Sequence, residues 1–83
     1  MLSISNTWQE WAAAFDSEET TKLHDQYAMR PLFRGGSTTD PQRVVVVVQA
    51  PGGAVERFMR DNADDVQRHG AILESVDVSV WSD

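Results

Sequence analysis

The residues best suited to chemistry in this sequence are His24 and Tyr27, three positions apart in a segment with helical spacing. Side chains three apart on a helix share one side, so the two could converge on a pocket between helix and sheet. An imidazole can exchange a proton near neutral pH, and a phenol hydroxyl can orient an oxygenated substrate. The same pair is also typical of a half-exposed helical histidine beside a core tyrosine. We therefore predict a ligand-binding role for both residues without assigning a catalytic one.

Two further side chains are candidates for ligand binding. Arg34 precedes Gly35 and Gly36, and its guanidinium group could pair with a ligand carboxylate. A salt bridge to one of the many acidic residues is the alternative. Trp81 lies near the end of the sequence, where it could close the mouth of a pocket or pack across a dimer interface.

The composition excludes several classes of site. There is no cysteine, so the chain has no disulfide or thiolate metal site, and the two histidines show no HExxH or HxxxH spacing. No phosphate-binding glycine motif is present. The formal net charge is −6, which is unfavourable for nucleic acids and anionic membranes. The longest apolar run is too short to cross a bilayer, and the N-terminus does not resemble a signal peptide. We expect a cytoplasmic protein with no metal or other cofactor.

The elements that would position these side chains begin with a short strand at Leu2 and Ile4. Thr7 and Glu10 have the spacing of a capping box, so a helix should start there. Asp16-Ser17-Glu18-Glu19 resembles a second cap, so we predict a kink or restart at this point. The helix should end by about Met29, because Pro31 disfavours helical geometry at Arg30. The first helix presents an apolar stripe of Trp8, Trp11, Ala12 and Phe15.

The second half of the chain is centred on five consecutive valines. A strand beginning at Leu32 leads through a turn-rich segment to the valine strand, predicted from Gln42 to Gln49. Pro51-Gly52-Gly53 ends it, and an amphipathic helix follows. Gly70 suits the end of that helix, and a last strand with alternating valines is predicted from Ile72 to Trp81.

The order β-α-β-β-α-β predicts a single α+β domain over residues 1–83, a ferredoxin-like sandwich with a four-stranded antiparallel sheet and both helices on one face. Val44, Val46 and Val48 would face the helices. Val45 and Val47 would lie on the other face, where burial is worth roughly 1.5–3 kcal/mol each. We therefore predict a homodimer packed sheet to sheet, with Val45, Val47, Gln49 and Trp81 in the interface. A solvated sheet with a few exposed valines is the alternative.

Several segments carry a resemblance to known proteins: residues 7–16 (TWQEWAAAFD), residues 31–35 (PLFRG), Asp40-Pro41, and the closing segment through Trp81. With these features the chain resembles the dimeric α+β barrel superfamily of ferredoxin-like proteins, and most closely a small uncharacterised family of that fold. The resemblance implies a barrel formed by two subunits. The superfamily includes cofactor-free monooxygenases, lactone isomerases and haem-degrading enzymes. Asn6 and His69 match the haem-degrading pattern, but its tryptophan is absent, so haem is not expected.

The function we expect is the binding of a small organic molecule by a dimer. Two alternatives stay open at this stage. One is a cofactor-free monooxygenase or isomerase with His24, Tyr27 or Arg34 in an enclosed pocket. The other is a structural or regulatory interaction module that uses its sheet face.

Overall fold

The computed structural model describes residues 1–81; Ser82 and Asp83, which the single-domain prediction includes, lie outside the described residues. The elements in chain order are β1 (Leu2–Ser3), α1 (Trp8–Phe15), α2 (Glu18–Gln26), β2 (Arg30–Gly36), β3 (Arg43–Gln49), α3 (Ala54–Asp61), α4 (Ala63–Arg68) and a 3₁₀ turn (Leu73–Ser75). The fold is α+β.

The valine strand β3 lies at the centre of a three-stranded antiparallel sheet with the order β1-β3-β2. It pairs with β2 along its whole length, from Gly36↔Val44 to Arg30↔Gln49, with a bulge at Leu32. Its pairing with β1 covers only Leu2↔Val44 and Ser3↔Arg43. One edge of β3 is therefore covered completely and the other only at its first residues.

The prediction of a four-stranded ferredoxin-like sheet, and of the dimeric barrel built from it, is wrong, because the described residues form three strands. The closing segment does approach β1: Ile4 pairs with Ala71, and the Met1 and Asp77 backbones exchange hydrogen bonds of 2.9 and 2.8 Å. Between these pairs β1 advances three residues and the closing segment six. The 3₁₀ turn accommodates the three additional residues of the closing segment, and no regular β-ladder forms between these described segments.

Side-chain bonding and exposure in the closing segment agree with this interruption. The Ser75 hydroxyl, rather than a backbone carbonyl, accepts a hydrogen bond from the Ser3 N–H at 2.8 Å. Val78 and Val80, predicted to lie in the last strand, are instead exposed to solvent, Val80 at 81%. Alternating valines were not sufficient to form a strand, since a strand also needs a partner with matching register.

The helical predictions in the first half are confirmed. Thr7 and Glu10 form the capping box, and Ser17 caps α2, so the helix stops and restarts at Asp16-Ser17 as expected. The α1 stripe packs on Val44 and Ile4, and Trp8, Trp11 and Phe15 form a continuous row of rings with centroids 5.6 and 5.2 Å apart. A second core cluster joins α2, α3 and the end of β3 around Met29, Ala54 and Phe58. Val44, Val46 and Val48 face these clusters, as predicted.

The turn after α4 is fixed by Gly70. Its φ is +112°, in the region that favours glycine, and an added Cβ would overlap the side-chain amide of Asn6. Asn6 Nδ2 donates to the His69 carbonyl oxygen at 3.0 Å, which holds the amide against the turn. This contact sets the direction in which the closing segment leaves the helices.

We expect Gly70→Ala to lower the free energy of unfolding by about 1–3 kcal/mol from backbone strain alone, with the overlap on Asn6 adding to the loss. Urea denaturation followed by circular dichroism measures the change. Gly52→Ala is the matched control, because a Cβ at Gly52 meets nothing within 4 Å. Equal stabilities of the two variants would show that the Asn6–Gly70 contact does not constrain the turn.

Candidate functional site

A largely apolar cleft of about 720 Å³ lies between the sheet, the helices and the closing segment. Its interior wall comes from the two core clusters, and its outer wall from the far half of β3 and residues 76–81. Among the residues that line it are Phe15, Leu23, His24, Met29, Val46, Val48, Ala50, Val55, Phe58, Met59, Val66, Val78 and Trp81. The volume is in the range of clefts that hold small ligands. Val45–Gln49, the part of β3 that lines the cleft, lies beyond the residues paired with β1.

His24 lies deep in this cleft, with 5% of its surface exposed. Its ring packs between Phe15 and Phe58, at centroid distances of 5.1 and 5.4 Å. Burial lowers the pKa of His24, and the charge of Asp25 opposes the shift only in part. The imidazole is therefore neutral near pH 7, with one ring nitrogen to donate a hydrogen bond and one to accept.

His24 also borders a smaller recess of about 270 Å³ on the outside of α2. Asp16, Thr21, Asp25 and Pro31 line this recess with it. Phe15, which contacts the His24 ring, lines this recess as well as the cleft.

Tyr27 is held at the surface, away from the residues that line the cleft. Its hydroxyl donates to Asp61 Oδ2 at 2.9 Å and accepts from Asn62 Nδ2 at 3.3 Å. The hydrogen bond to Asp61 raises the pKa of Tyr27 and lowers the pKa of the Asp61 carboxyl. Tyr27 and His24 share Phe58 as a neighbour, since the Tyr27 ring packs edge-on against it at 5.5 Å. The structure links the two residues through Phe58 but does not place both in the cleft.

The side chain of Arg34 is bound at α1 by a salt bridge and an aromatic ring. Its Nε donates to Asp16 Oδ1 at 2.8 Å and its terminal nitrogen to the other carboxylate oxygen, a bidentate pair. The guanidinium carbon lies 5.2 Å from the centroid of the Trp8 ring. The hydrogen bond from Arg34 lowers the pKa of Asp16. This is the salt bridge that the sequence left open as the alternative, and Arg34 does not line the cleft.

The remaining candidates lie at the rim. Trp81 lines the cleft, yet 89% of its surface is exposed. Val45, Val47 and Gln49 also border the cleft, and Val47 is 47% exposed on the outer face of the sheet. Within residues 1–81, no group of three acidic or histidine side chains is arranged to hold a metal ion.

The sequence predicted an amphipathic helix after Gly53 but did not single out Phe58, although this ring contacts both His24 and Tyr27. What was missing was the packing of α3 against α2, which depends on contacts between segments more than 30 residues apart in the chain.

Comparison with protein families gives a match along the entire chain. The matching family model, over residues 1–83, is described as a domain of unknown function, DUF3764. This chain belongs to that family. No curated protein and no protein of solved structure matches it. The family description assigns no activity to DUF3764, and the resemblance to the dimeric α+β barrel superfamily stays a prediction that this match does not test. Over the residues that the structure describes, no helix of this chain is long and apolar enough to cross a bilayer.

We expect the stability of the protein to fall as the pH drops through about 6.5, the ordinary histidine value. The folded pKa of His24 is lower than this, so the unfolded chain binds more protons and the free energy of unfolding rises with pH. Urea denaturation between pH 7.5 and 5.0 measures the effect. His24→Leu should remove most of this pH dependence.

His69→Gln is the matched control, because His69 is a half-buried histidine at the end of α4 with no aromatic enclosure among the described contacts. This variant should retain the loss of stability at low pH that the burial of His24 produces. A profile that His24→Leu leaves unchanged would show that His24 is not buried as a neutral imidazole.

Proposed function

We propose that this protein binds a small, mainly apolar organic molecule in the 720 Å³ cleft. The observation that carries the proposal is the combination of this volume with an apolar lining and one buried neutral imidazole, His24. Apolar walls supply affinity through the burial of ligand surface. A single polar group at depth orients the ligand, because a bound molecule must satisfy it or leave it unpaired.

Binding without turnover fits the surroundings of His24 best. Its closest ring neighbours, Phe15 and Phe58, neither donate nor accept protons. We place this binding role in the cytoplasm, as the absence of cysteine suggests.

A homodimer formed through the outer sheet face is a second element of the proposal. Phe33 and Val47 are directly opposite on neighbouring strands and expose 58% and 47% of their surfaces. Val45 lies on the same face, and the Phe33 ring covers Gly35. The result is an apolar strip along the middle of the sheet, which a second copy would remove from water.

The cleft is tested with a neutral fluorescent probe, N-phenyl-1-naphthylamine, titrated against the protein. Ala50→Trp introduces an indole at a half-buried position that lines the cleft, so we expect probe affinity to fall by about tenfold or more. Ala13→Trp is the matched control, since Ala13 is exposed on α1 outside the cleft. Its affinity should stay within about twofold of wild type. Failure of the wild-type protein to bind the probe would contradict the proposed function.

The dimer is tested with Val47→Asp. A carboxylate within an apolar interface has no partner, so we expect the variant to sediment as a monomer at concentrations where the wild type is a dimer. Thr38→Asp, in the exposed loop between β2 and β3, is the control and should leave the mass unchanged. A monomeric wild-type protein at micromolar concentration would contradict the dimer.

A further inference from the structure

A row of aromatic rings forms part of the interior wall of the cleft. The ring centroids are 5.2 Å apart from Trp11 to Phe15, 5.1 Å from Phe15 to His24 and 5.4 Å from His24 to Phe58. All four side chains are among those that line the cleft. This part of the wall is apolar except for the nitrogen atoms of Trp11 and His24.

The nitrogen atoms in this row have no partner within the described protein. None of the side-chain hydrogen bonds of residues 1–81 involves the Trp11 indole N–H or either ring nitrogen of His24. These nitrogens are not sealed off, because Asn6 Oδ1 is the one fully enclosed side-chain polar atom that the described residues leave without a partner. Each nitrogen therefore contacts open space, and the cleft is the space that both residues line.

Asn62, which also lines the cleft, supplies a hydrogen-bond acceptor. Its Nδ2 donates to the Tyr27 hydroxyl at 3.3 Å and to the Phe58 carbonyl oxygen at 3.1 Å. The Tyr27 hydroxyl is itself used as a donor to Asp61, so it can only accept from the amide. These two acceptors fix the orientation of the amide, and its Oδ1 is left as an acceptor with no donor among the described residues.

No charged group lies at the depth of His24. Thr20 and His24 are the buried polar side chains of the described residues, and the Thr20 hydroxyl already donates to a backbone carbonyl oxygen at 2.8 Å. With histidine counted as neutral, the charged groups that line the cleft are nearer the surface: the Met1 ammonium, Glu56, Asp65 and Asp77. Two of them have partners, since Asp65 pairs with Arg68 and the Met1 ammonium donates to a backbone carbonyl oxygen. A charged ligand group beside His24 would have no counterion.

We propose that the ligand of the cleft is an uncharged molecule with a hydroxyl group, and that this hydroxyl binds the His24 imidazole. The inference rests on the proposed function, because it names the ligand class of the same site. A neutral imidazole has one nitrogen that donates and one that accepts, the Trp11 N–H only donates, and Asn62 Oδ1 only accepts. A hydroxyl group donates and accepts through one oxygen atom, so it complements all of these partners. An ether or ketone oxygen only accepts, and a carboxylate brings a charge that nothing at this depth balances.

The aromatic row makes a ring a suitable frame for the probes. Aromatic rings pack favourably on one another in offset or edge-on arrangements, as Trp11, Phe15, His24 and Phe58 already do. Naphthalenes with one substituent at position 2 keep this frame constant while the polar group changes. Differences in affinity within such a series therefore report on the polar group.

The first experiment compares three such naphthalenes as competitors of N-phenyl-1-naphthylamine near pH 7. 2-Naphthol donates and accepts a hydrogen bond, 2-methoxynaphthalene only accepts, and 2-methylnaphthalene does neither. We expect 2-naphthol to bind at least about fivefold more tightly than either of the others, although both are more apolar. Equal or weaker binding of 2-naphthol would overturn the inference, since it would show that the hydroxyl group is not recognised.

A protein variant tests the role of the imidazole. His24→Phe keeps an aromatic ring between Phe15 and Phe58 and removes both ring nitrogens. We expect the affinity for 2-naphthol to fall by about tenfold and that for 2-methylnaphthalene, the matched control ligand, to change by less than about threefold. Equal changes for the two ligands would show that His24 only shapes the wall and would overturn its assignment. Circular dichroism checks the fold; if His24→Phe is unfolded, the three naphthalenes decide the question with the wild-type protein.

Two further probes define the ligand class. Naphthalene-2-carboxylate should bind at least about tenfold more weakly than 2-naphthol, because its charge has no counterion beside His24. Binding as tight as that of 2-naphthol would overturn the uncharged class. Phenols and alcohols share the hydroxyl group, and 2-naphthalenemethanol separates them: tighter binding than 2-naphthol assigns an alcohol, and weaker binding assigns a phenol.

The outcomes separate the inference from the proposed function. Binding of N-phenyl-1-naphthylamine without a preference for 2-naphthol over 2-methylnaphthalene would overturn the inference and leave the apolar cleft in place. Failure of N-phenyl-1-naphthylamine to bind would contradict the proposed function, and the inference with it.

Discussion

The structure depends on how the faces and edges of β3, a strand of five consecutive valines, are covered by other elements. β3 is apolar on both faces, and as a central strand it also has two edges whose backbone groups need partners. The helices cover one face through Val44, Val46 and Val48. β2 covers one edge completely, while β1 covers only the first residues of the other edge. The cleft and the exposed outer strip both accompany this incomplete cover.

Local signals in the sequence predicted local structure well. The Thr7–Glu10 capping box, the helix restart at Ser17 and the inward side of the valine strand all follow from interactions within a few residues. The prediction of a fourth strand was wrong because alternating apolar residues show which side chains suit a pleated surface. They do not show whether a partner strand in register exists. The register was lost because the closing segment has three more residues between Ala71 and Asp77 than β1 has between Ile4 and Met1. A 3₁₀ turn accommodates them. The burial of His24 between α1 and α3 was equally invisible, because it results from long-range packing.

The polar candidates differ in how their charge is balanced. Arg34 and Tyr27 are each bound by a surface carboxylate from another element, so both link elements: Arg34 joins β2 to the end of α1, and Tyr27 joins the end of α2 to the end of α3. His24 has aromatic neighbours instead, and burial keeps it neutral. Ionised groups therefore lie around the core, whereas His24, the titratable side chain buried at the centre of the described residues, is uncharged. An interior of this kind favours uncharged ligand groups at depth.

The open edge of β3 has a consequence for the behaviour of the protein at high concentration. A short, uncharged, β-branched segment with free backbone groups is the sequence signature of strands that stack into fibrils. The net charge of −6 acts against such stacking, since each added copy brings the same charge to the growing edge. Acidic surface residues therefore act as a safeguard against self-assembly. Conditions that neutralise carboxylates weaken the safeguard.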